Sequence, residues 1–517
     1  MTFEIVFVLL SLLGMVAALV ADKMRPGMIL FSVVVLFLCA GILTPKEMLE
    51  GFSNKGMITV ALLFLVSEGI RQSGTLGQVI KKLLPQGKTT VFKAQLRILP
   101  SVAFISAFLN NTPVVVIFAP IIKHWAKSVN LPATKFLIPL SYVTILGGIC
   151  TLIGTSTNLV VHGMILEAGF EGFSMFELGK VGIFIAIAGI IYIFLFSKRL
   201  LPDARPDTAV PDEEVEEGEK LHRVEAVLGA RFPGINKKLK DFNFQRHYGA
   251  EVKEIKTRNG QRFVTNLDDV VLHEGDTLVV MADDTFIPTW GESSVFVLLT
   301  NGNEPDTTGK KKRWFALLLL VLMIVGATVG ELPVTKEMFP DIKLDMFFFV
   351  SITTIIMAWT NLFPARKYTK YISWDILITI ACAFAISKAM VNSGVADSVA
   401  KFIIGLSDDY GPHVLLAMVF IITNLFTELI TNNAAAALAF PLALSISAQL
   451  GVSPTPFFVV ICMAASASFS TPIGYQTNLI VQGIGNYKFM DFVRIGLPLN
   501  IITFLISIIL IPLIWNF

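Results

Sequence analysis

Ten apolar runs punctuate the chain, at 3–21, 27–43, 57–72, 136–165, 181–198, 314–330, 345–362, 374–391, 456–482 and 497–516. A helix rises about 1.5 Å per residue, so roughly 20 apolar residues cross a hydrocarbon core about 30 Å thick. Each run reads as a membrane crossing. Two more apolar segments, 98–125 and 413–447, are too broken to cross and read as re-entrant hairpins. The first run, Phe3–Val20, has no basic lead and no small-residue cleavage site, so it reads as a retained span.

Lysine and arginine orient these spans. With the N-terminus outside, the inner loops collect Lys23, Arg25, Arg71, Lys81, Lys82, Lys88, Lys93, Arg97, Lys123, Lys127, Lys135, Lys198, Arg199, Lys310 to Arg313, Arg366, Lys367, Lys370, Lys488 and Arg494. The outer loops keep only Lys46, Lys55, Lys180, Lys336, Lys343 and Lys401. Both termini are then outside, and the polar segment 201–312 is cytoplasmic.

That segment interrupts the hydrophobic pattern. Asp203–Lys220 is an acidic, proline-containing linker. Beyond it, strands are expected at Arg223–Leu228, Glu251–Lys256, Arg262–Val264 and Thr277–Met281. A short helix is expected over Lys237–His247, and Asn259-Gly260 is a hairpin turn signal. The predicted division is membrane 1–200, linker 201–220, a small α/β domain 221–302, and membrane 303–517. No glycine-rich dinucleotide fingerprint is present, which predicts no NAD binding.

The two membrane portions repeat each other. Ser67 to Gly74 matches Ser387 to Gly394; Asn110-Asn111-Thr112-Pro113 matches Thr431-Asn432-Asn433-Ala434; Gly154 to Val161 matches Gly474 to Val481. Asn111 precedes Asn158 by 47 positions, and Asn432 precedes Asn478 by 46. By the orientation above the copies enter the membrane from opposite sides. The expected fold is a mainly α membrane protein of inverted-repeat transporter type, with two re-entrant hairpins and the α/β domain inserted between the halves. Such architectures place their site near the bilayer midplane, where helices are broken.

The best-matched residues are polar ones in apolar surroundings. Asn110, Asn111, Thr112 and Pro113 stand where the first hairpin turns, and Thr431, Asn432 and Asn433 where the second does. Gly154, Thr155, Ser156, Thr157 and Asn158 interrupt one long run; Ser468, Thr471, Gly474, Tyr475, Gln476, Thr477 and Asn478 interrupt the other. Unpaired amides and hydroxyls at that depth cost several kcal/mol. An ion and a solute bound at the turns would satisfy them. Neutral oxygens suit sodium, and amide N–H groups at helix N-termini suit an anion. One sodium is expected near Asn111, Thr155 and Asn158, and another near Asn432, Thr471 and Asn478, with the anion between the halves. The competing reading makes these residues interhelical glue. Glu68 and Lys388, at matched positions near span ends, read as interfacial groups or as a gating ion pair. The four clusters themselves carry no charge.

Composition agrees with a membrane chain. Of the 517 residues 54% are hydrophobic and 15% charged, against about 25% charged in soluble proteins. The net charge of +2 argues against a nucleic-acid partner. Cys39, Cys150, Cys382 and Cys462 lie scattered in apolar segments, neither a disulfide framework nor a zinc site. No catalytic constellation lies in the clusters, which sets an enzyme aside. A channel gated by the inserted domain is the alternative of another class.

On these motifs the chain resembles the divalent anion:sodium symporter family of the ion transporter superfamily. The family's Ser-Asn-Thr hairpin turn corresponds to Asn110-Asn111-Thr112 and Thr431-Asn432-Asn433. The resemblance implies sodium at each hairpin tip, sodium as the coupling ion with no other cofactor, an anion held by both tips, a homodimer in the plasma membrane, and elevator-like motion. Dicarboxylate carriers show Pro-Pro-Asn where this chain has Ser156-Thr157-Asn158 and Gln476-Thr477-Asn478. That difference points to sulfate, with a succinate- or citrate-like dicarboxylate as the alternative. The insert resembles the RCK_C regulatory domain through Val224-Glu225-Ala226, Tyr248-Gly249-Ala250 and Leu272 to Leu278. This implies a dimerisation module, or one that binds a small regulatory ligand.

Overall fold

A computed structural model describes residues 3–21, 24–203, 222–229, 232–257, 261–283, 286, 290, 295–300, 310–339, 341–405 and 411–517. The first membrane portion holds α1 (Phe3–Ala21), α2 (Pro26–Cys39), α3 (Pro45–Glu50), α4 (Lys55–Gln72), α5 (Thr75–Leu83), α6 (Val91–Ser106), α7 (Asn111–Ser128), α8 (Leu137–Gly148), α9 (Ser156–Glu167) and α10 (Gly179–Leu200). The insert contains α11 (Phe244–Tyr248). The second portion holds α12 (Lys310–Gly330), α13 (Pro333–Met338), α14 (Met346–Trp359), α15 (Trp374–Asn392), α16 (Val395–Gly405), α17 (Gly411–Leu429), α18 (Asn432–Leu450), α19 (Thr455–Ser466), α20 (Gln476–Gly485) and α21 (Phe489–Ile514).

Local chemistry sets many of these boundaries. Thr44 and Glu47 form a reciprocal capping box that starts α3, and the Asn54 side chain accepts from the N–H groups of Gly56 and Met57 to start α4. Gly74 after α4 and Gly394 after α15 both take left-handed φ, 69° and 75°. A side chain would strain that conformation. These glycines close the Ser67–Gly74 and Ser387–Gly394 motifs, so the repeat holds at the level of backbone angle.

Among the described residues, seven helical segments are long and apolar enough to cross a membrane: Pro45–Gln72 (α3 and α4 joined by a 3₁₀ turn), Gly179–Leu200, Lys311–Gly330, Trp374–Asn392, Gly411–Leu429, Asn432–Leu450 and Phe489–Ile514. Two of them are the arms α17 and α18 of the second hairpin, which closes between Leu429 and Asn432. The first hairpin is α6 and α7. The runs 136–165 and 456–482 are each two short helices, α8–α9 and α19–α20, parted by non-helical residues. Every residue of α8 is buried, as is α19 from Pro456 onward. Peripheral helices do the opposite. In α21, Leu497, Ile501, Leu505 and Ile509 form an exposed apolar stripe at helical spacing. An outward apolar face suits lipid.

The insert is a five-stranded antiparallel sheet in the order β3-β2-β4-β1-β5. Its strands are β1 (His222–Leu228), β2 (Glu251–Lys256), β3 (Arg262–Phe263), β4 (Thr277–Ala282) and β5 (Phe296–Thr300). Val224 faces Val280 and Ala226 faces Leu278 in the β1–β4 register. Phe232, Phe242, Phe244, Tyr248 and Phe296 fill one core. The helix expected over Lys237–His247 is instead a 3₁₀ turn, Leu239–Asp241, followed by α11. Phe242 is extended, and the Asn243 side chain accepts from Arg246 N–H, so a new helix starts there. The Asn259-Gly260 turn lies outside the described residues.

The sheet rests on the membrane helices. Lys123 of α7 lies 3.0 Å from the Glu225 carboxylate, and Lys256 lies 3.3 Å from it. Burial alone would raise the Glu225 carboxyl; the two ammonium groups beside it overcome that and hold it down at about 2. On α20, a Cβ at Gly483 would stand 2.7 Å from Thr277 Oγ1 and 3.1 Å from Gly275 O, which shows how closely the two elements approach.

Candidate functional site

The two helix breaks are built alike. Asn158 Nδ2 donates to Thr151 O at 2.9 Å and Gly148 O at 3.4 Å. Asn478 Nδ2 donates to Thr471 O at 3.1 Å and Ser468 O at 2.9 Å. Gly154 N–H donates to Thr151 Oγ1 at 3.2 Å, and Gly474 N–H to Thr471 Oγ1 at 3.4 Å. Thr151 and Thr471 in turn donate to the hairpin carbonyls of Ala107 and Glu428. Each asparagine thus replaces the missing helical donors of its break. Neither glycine tolerates a side chain: a Cβ at Gly154 would stand 2.4 Å from Gly148 O, and one at Gly474 2.4 Å from Thr427 O.

Each hairpin tip then meets the break of the other half. With its amide oriented to satisfy both ends, Asn111 donates to Thr144 O at 3.0 Å and Gly154 O at 3.3 Å, and its oxygen accepts from Tyr475 Oη at 2.7 Å. Thr112 donates to Gln476 Oε1 at 3.3 Å. Asn432 Nδ2 donates to Thr157 Oγ1 at 2.7 Å, and Asn433 Oδ1 accepts from Ser156 at 3.2 Å and Thr157 at 3.1 Å. Tyr475 and Thr155 are 2.9 Å apart, oxygen to oxygen. Asn110 lines a narrow cleft with Ser156, Ser67, Phe108 and Leu320. Pro113 sits in the first turn of α7.

This geometry brings four helix N-termini together: α7 after Asn110, α9 after Thr155, α18 after Thr431 and α20 after Tyr475. None of the four is capped by its own N-cap side chain. Their first N–H groups and positive dipole ends converge on one region. Among the described residues, the hydrogen bonds of this cluster include no lysine, arginine or histidine. Two buried oxygens in it have no hydrogen-bond partner, Asn158 Oδ1 and Thr431 Oγ1. Both are hard donors of the type sodium takes.

The expected groupings are met unevenly. Asn111 and Thr155 share the Tyr475 hydroxyl, and Asn158 braces the same break. In the second half, Thr471 and Asn478 are bonded, while Asn432 turns to Thr157 across the interface between the halves. The expectation of uncharged clusters needs correction. Glu428 reaches the second break, where its carboxylate accepts from Ser470 N–H at 3.0 Å and Asn500 Nδ2 at 2.7 Å. It is an isolated acid in the apolar stretch 411–450, a signal visible in the sequence. Ser141, which carries no signal in the sequence, also joins the site; its hydroxyl lies 2.7 Å from Asn478 Oδ1 and 2.8 Å from Thr477 Oγ1. Glu68 and Lys388 form no gating pair: Glu68 is bonded by Arg71 at 2.7 Å within its own helix, and Lys388 is exposed.

Comparison with known proteins points the same way. A family model described as "Citrate transporter" matches residues 16–447 and 342–516. An uncharacterized transporter of Synechocystis is 30% identical over 94% of this chain and 93% of its own length. A putative sulfur deprivation response regulator of Chlamydomonas reinhardtii is 28% identical over 93% of this chain and 96% of its own. A probable sodium/sulfate cotransporter of the same alga is 23% identical over 93% of this chain and 85% of its own.

Proposed function

We propose that this chain, which belongs to the citrate transporter family, is a secondary carrier that takes a small divalent oxyanion, sulfate, through the membrane together with sodium. The observation that carries this is the meeting of four helix N-termini, two from each half, none capped by its own N-cap side chain, in a cluster whose hydrogen bonds, among the described residues, include no basic side chain. Such a place stabilises an anion by dipoles and N–H groups alone. It is selective for a compact anion whose charge is spread over several acceptor oxygens. Asn158 Oδ1 and Thr431 Oγ1, buried and unpartnered, supply ligands for the coupling cation, and Glu428 supplies a negative charge beside the second break. The names of algal relatives support sulfate and sodium.

In this reading the tips and breaks form the moving unit of an elevator-type homodimer in the plasma membrane, with the peripheral helices as its scaffold. The division at 200, 220 and 302 separates membrane from insert, and the insert is an RCK_C-like regulatory domain on the cytoplasmic side. A channel is disfavoured by the inverted halves within one chain and by the direct bonding of each tip to the opposite break.

Uptake of labelled sulfate into proteoliposomes, with and without an inward sodium gradient, tests the reading. Saturable uptake that needs sodium and is outcompeted by sulfate better than by succinate is expected. Succinate preference would move the assignment to a dicarboxylate carrier. Uncoupled current without saturation would replace the carrier by a channel.

A further inference from the structure

Thr155 and Tyr475 hold the same place in the two halves, each the residue just before the helix that leaves its break. They touch each other, with hydroxyls 2.9 Å apart. Matched residues of a twofold-related pair meet only where the relating axis passes, so this contact marks the centre of the site. The two side chains differ greatly in bulk. Thr155 offers a methyl and a hydroxyl; Tyr475 fills its side with a ring that is only 7% exposed. The tyrosine hydroxyl also bonds Asn111 at 2.7 Å, so one phenol ties the first hairpin tip to the second break.

We infer that Tyr475 sets the size limit of the transported anion: its ring closes the second-half side of the space between the tips, leaving room for a tetrahedral oxyanion and not for an extended dicarboxylate. The inference rests on the anion-carrier reading above. Its cause is steric and local. A buried ring held by hydrogen bonds to the first tip and to Thr155 does not yield to a longer ligand without breaking them. A threonine at the same place, which the first half already uses, would make the two sides equivalent and lengthen the space along the line joining the tips. Discrimination by pocket size is worth roughly 10–200-fold for a single small group, so replacing a phenol ring falls at or above the upper part of that range.

The test compares labelled sulfate uptake and its inhibition by succinate in proteoliposomes for the wild type, Tyr475→Thr and Tyr475→Phe. In the wild type succinate is expected to compete poorly. Tyr475→Thr should improve the inhibition constant of succinate relative to sulfate by roughly 100-fold or more. Tyr475→Phe keeps the ring, so it should keep the discrimination while weakening sulfate uptake through loss of its hydroxyl bonds. A merely structural tyrosine would lower uptake without moving the sulfate-to-succinate ratio; an unchanged ratio in Tyr475→Thr overturns the inference while sulfate transport itself upholds the carrier reading. A wild type that carries neither anion removes both.

Discussion

Replacing Asn158 by alanine is the sharpest perturbation of the first-half break. Its Nδ2 makes one full hydrogen bond, to Thr151 O at 2.9 Å, and one marginal one, to Gly148 O at 3.4 Å. Losing a neutral bond costs about 1 kcal/mol, and a buried carbonyl left without its donor costs about 1–3 kcal/mol. The ordered break is therefore weakened by roughly 1–3 kcal/mol. Alanine also removes Oδ1, the unpartnered oxygen assigned to sodium. At about 1.4 kcal/mol per tenfold, the sodium concentration for half-maximal uptake should rise at least about tenfold, with saturating rates less affected. The assay is a sodium titration of sulfate uptake in proteoliposomes, with protein folding checked by thermal unfolding in detergent. Asn478→Ala provides the contrast. Its Oδ1 is already bonded by Ser141 at 2.7 Å, so that variant loses one more internal bond and should melt at lower temperature than Asn158→Ala. A folded Asn158→Ala protein with an unchanged sodium titration would refute the assignment of this break to sodium.

Three further outcomes follow from other contacts. Glu428→Gln can keep the acceptor bonds from Ser470 and Asn500 but loses the charge, so sodium half-saturation should rise roughly fivefold, the equivalent of about 1 kcal/mol of attraction; an unmoved titration would assign Glu428 to structure alone. Gly154→Ala and Gly474→Ala each drive a Cβ into a backbone carbonyl 2.4 Å away; each should cost about 1–3 kcal/mol in thermal unfolding and lower uptake, and wild-type behaviour would show that the breaks rearrange freely. The Glu225 carboxyl sits at about 2 in the folded protein, below its ordinary value near 4.5. Its contribution is present in full above pH 4.5 and is lost as pH falls from there toward 2. Hydrogen-exchange protection of β1, taken relative to the intrinsic exchange rate at each pH, should fall across that window in the wild type and show a weaker pH response in Glu225→Gln; identical profiles would contradict the role of the Lys123–Glu225–Lys256 contact.

Much of the membrane architecture can be read from the chain because the duplication preserved the residues that repair broken helices. Asn158 and Asn478 stand out as polar residues in apolar runs, and the structure gives both the same task. The hairpins are visible for a related reason, since Asn110-Asn111-Thr112 and Thr431-Asn432-Asn433 interrupt segments otherwise fit to cross. The pairing across the halves is not legible. That Asn432 bonds Thr157 rather than its own break depends on how two oppositely directed copies interlock, and contacts between residues 275 positions apart leave no periodic trace. Glu428 is legible as a lone acid in an apolar stretch, but its reach to the second break depends on how the hairpin packs against Ser470 and Asn500. In the insert, alternation marked the strands, whereas the helix over Lys237–His247 split because the Asn243 cap outweighs a weak helical pattern. Ser141 lies in a wholly buried helix, where a hydroxyl reads as ordinary helix packing until its partners are known.

In the reading proposed above, hairpin tips from both halves hold one oxyanion between four helix N-termini. Selenate, a close mimic of sulfate, makes this directly visible. Crystals grown with sodium and selenate should show a selenium anomalous peak between the first turns of α7, α9, α18 and α20, within hydrogen-bonding reach of Thr112, Ser156, Asn433 or Gln476. A peak elsewhere in the membrane portion, or a selenate-bound structure in which the Asn111 and Asn432 tips stand apart with no density between them, would contradict it.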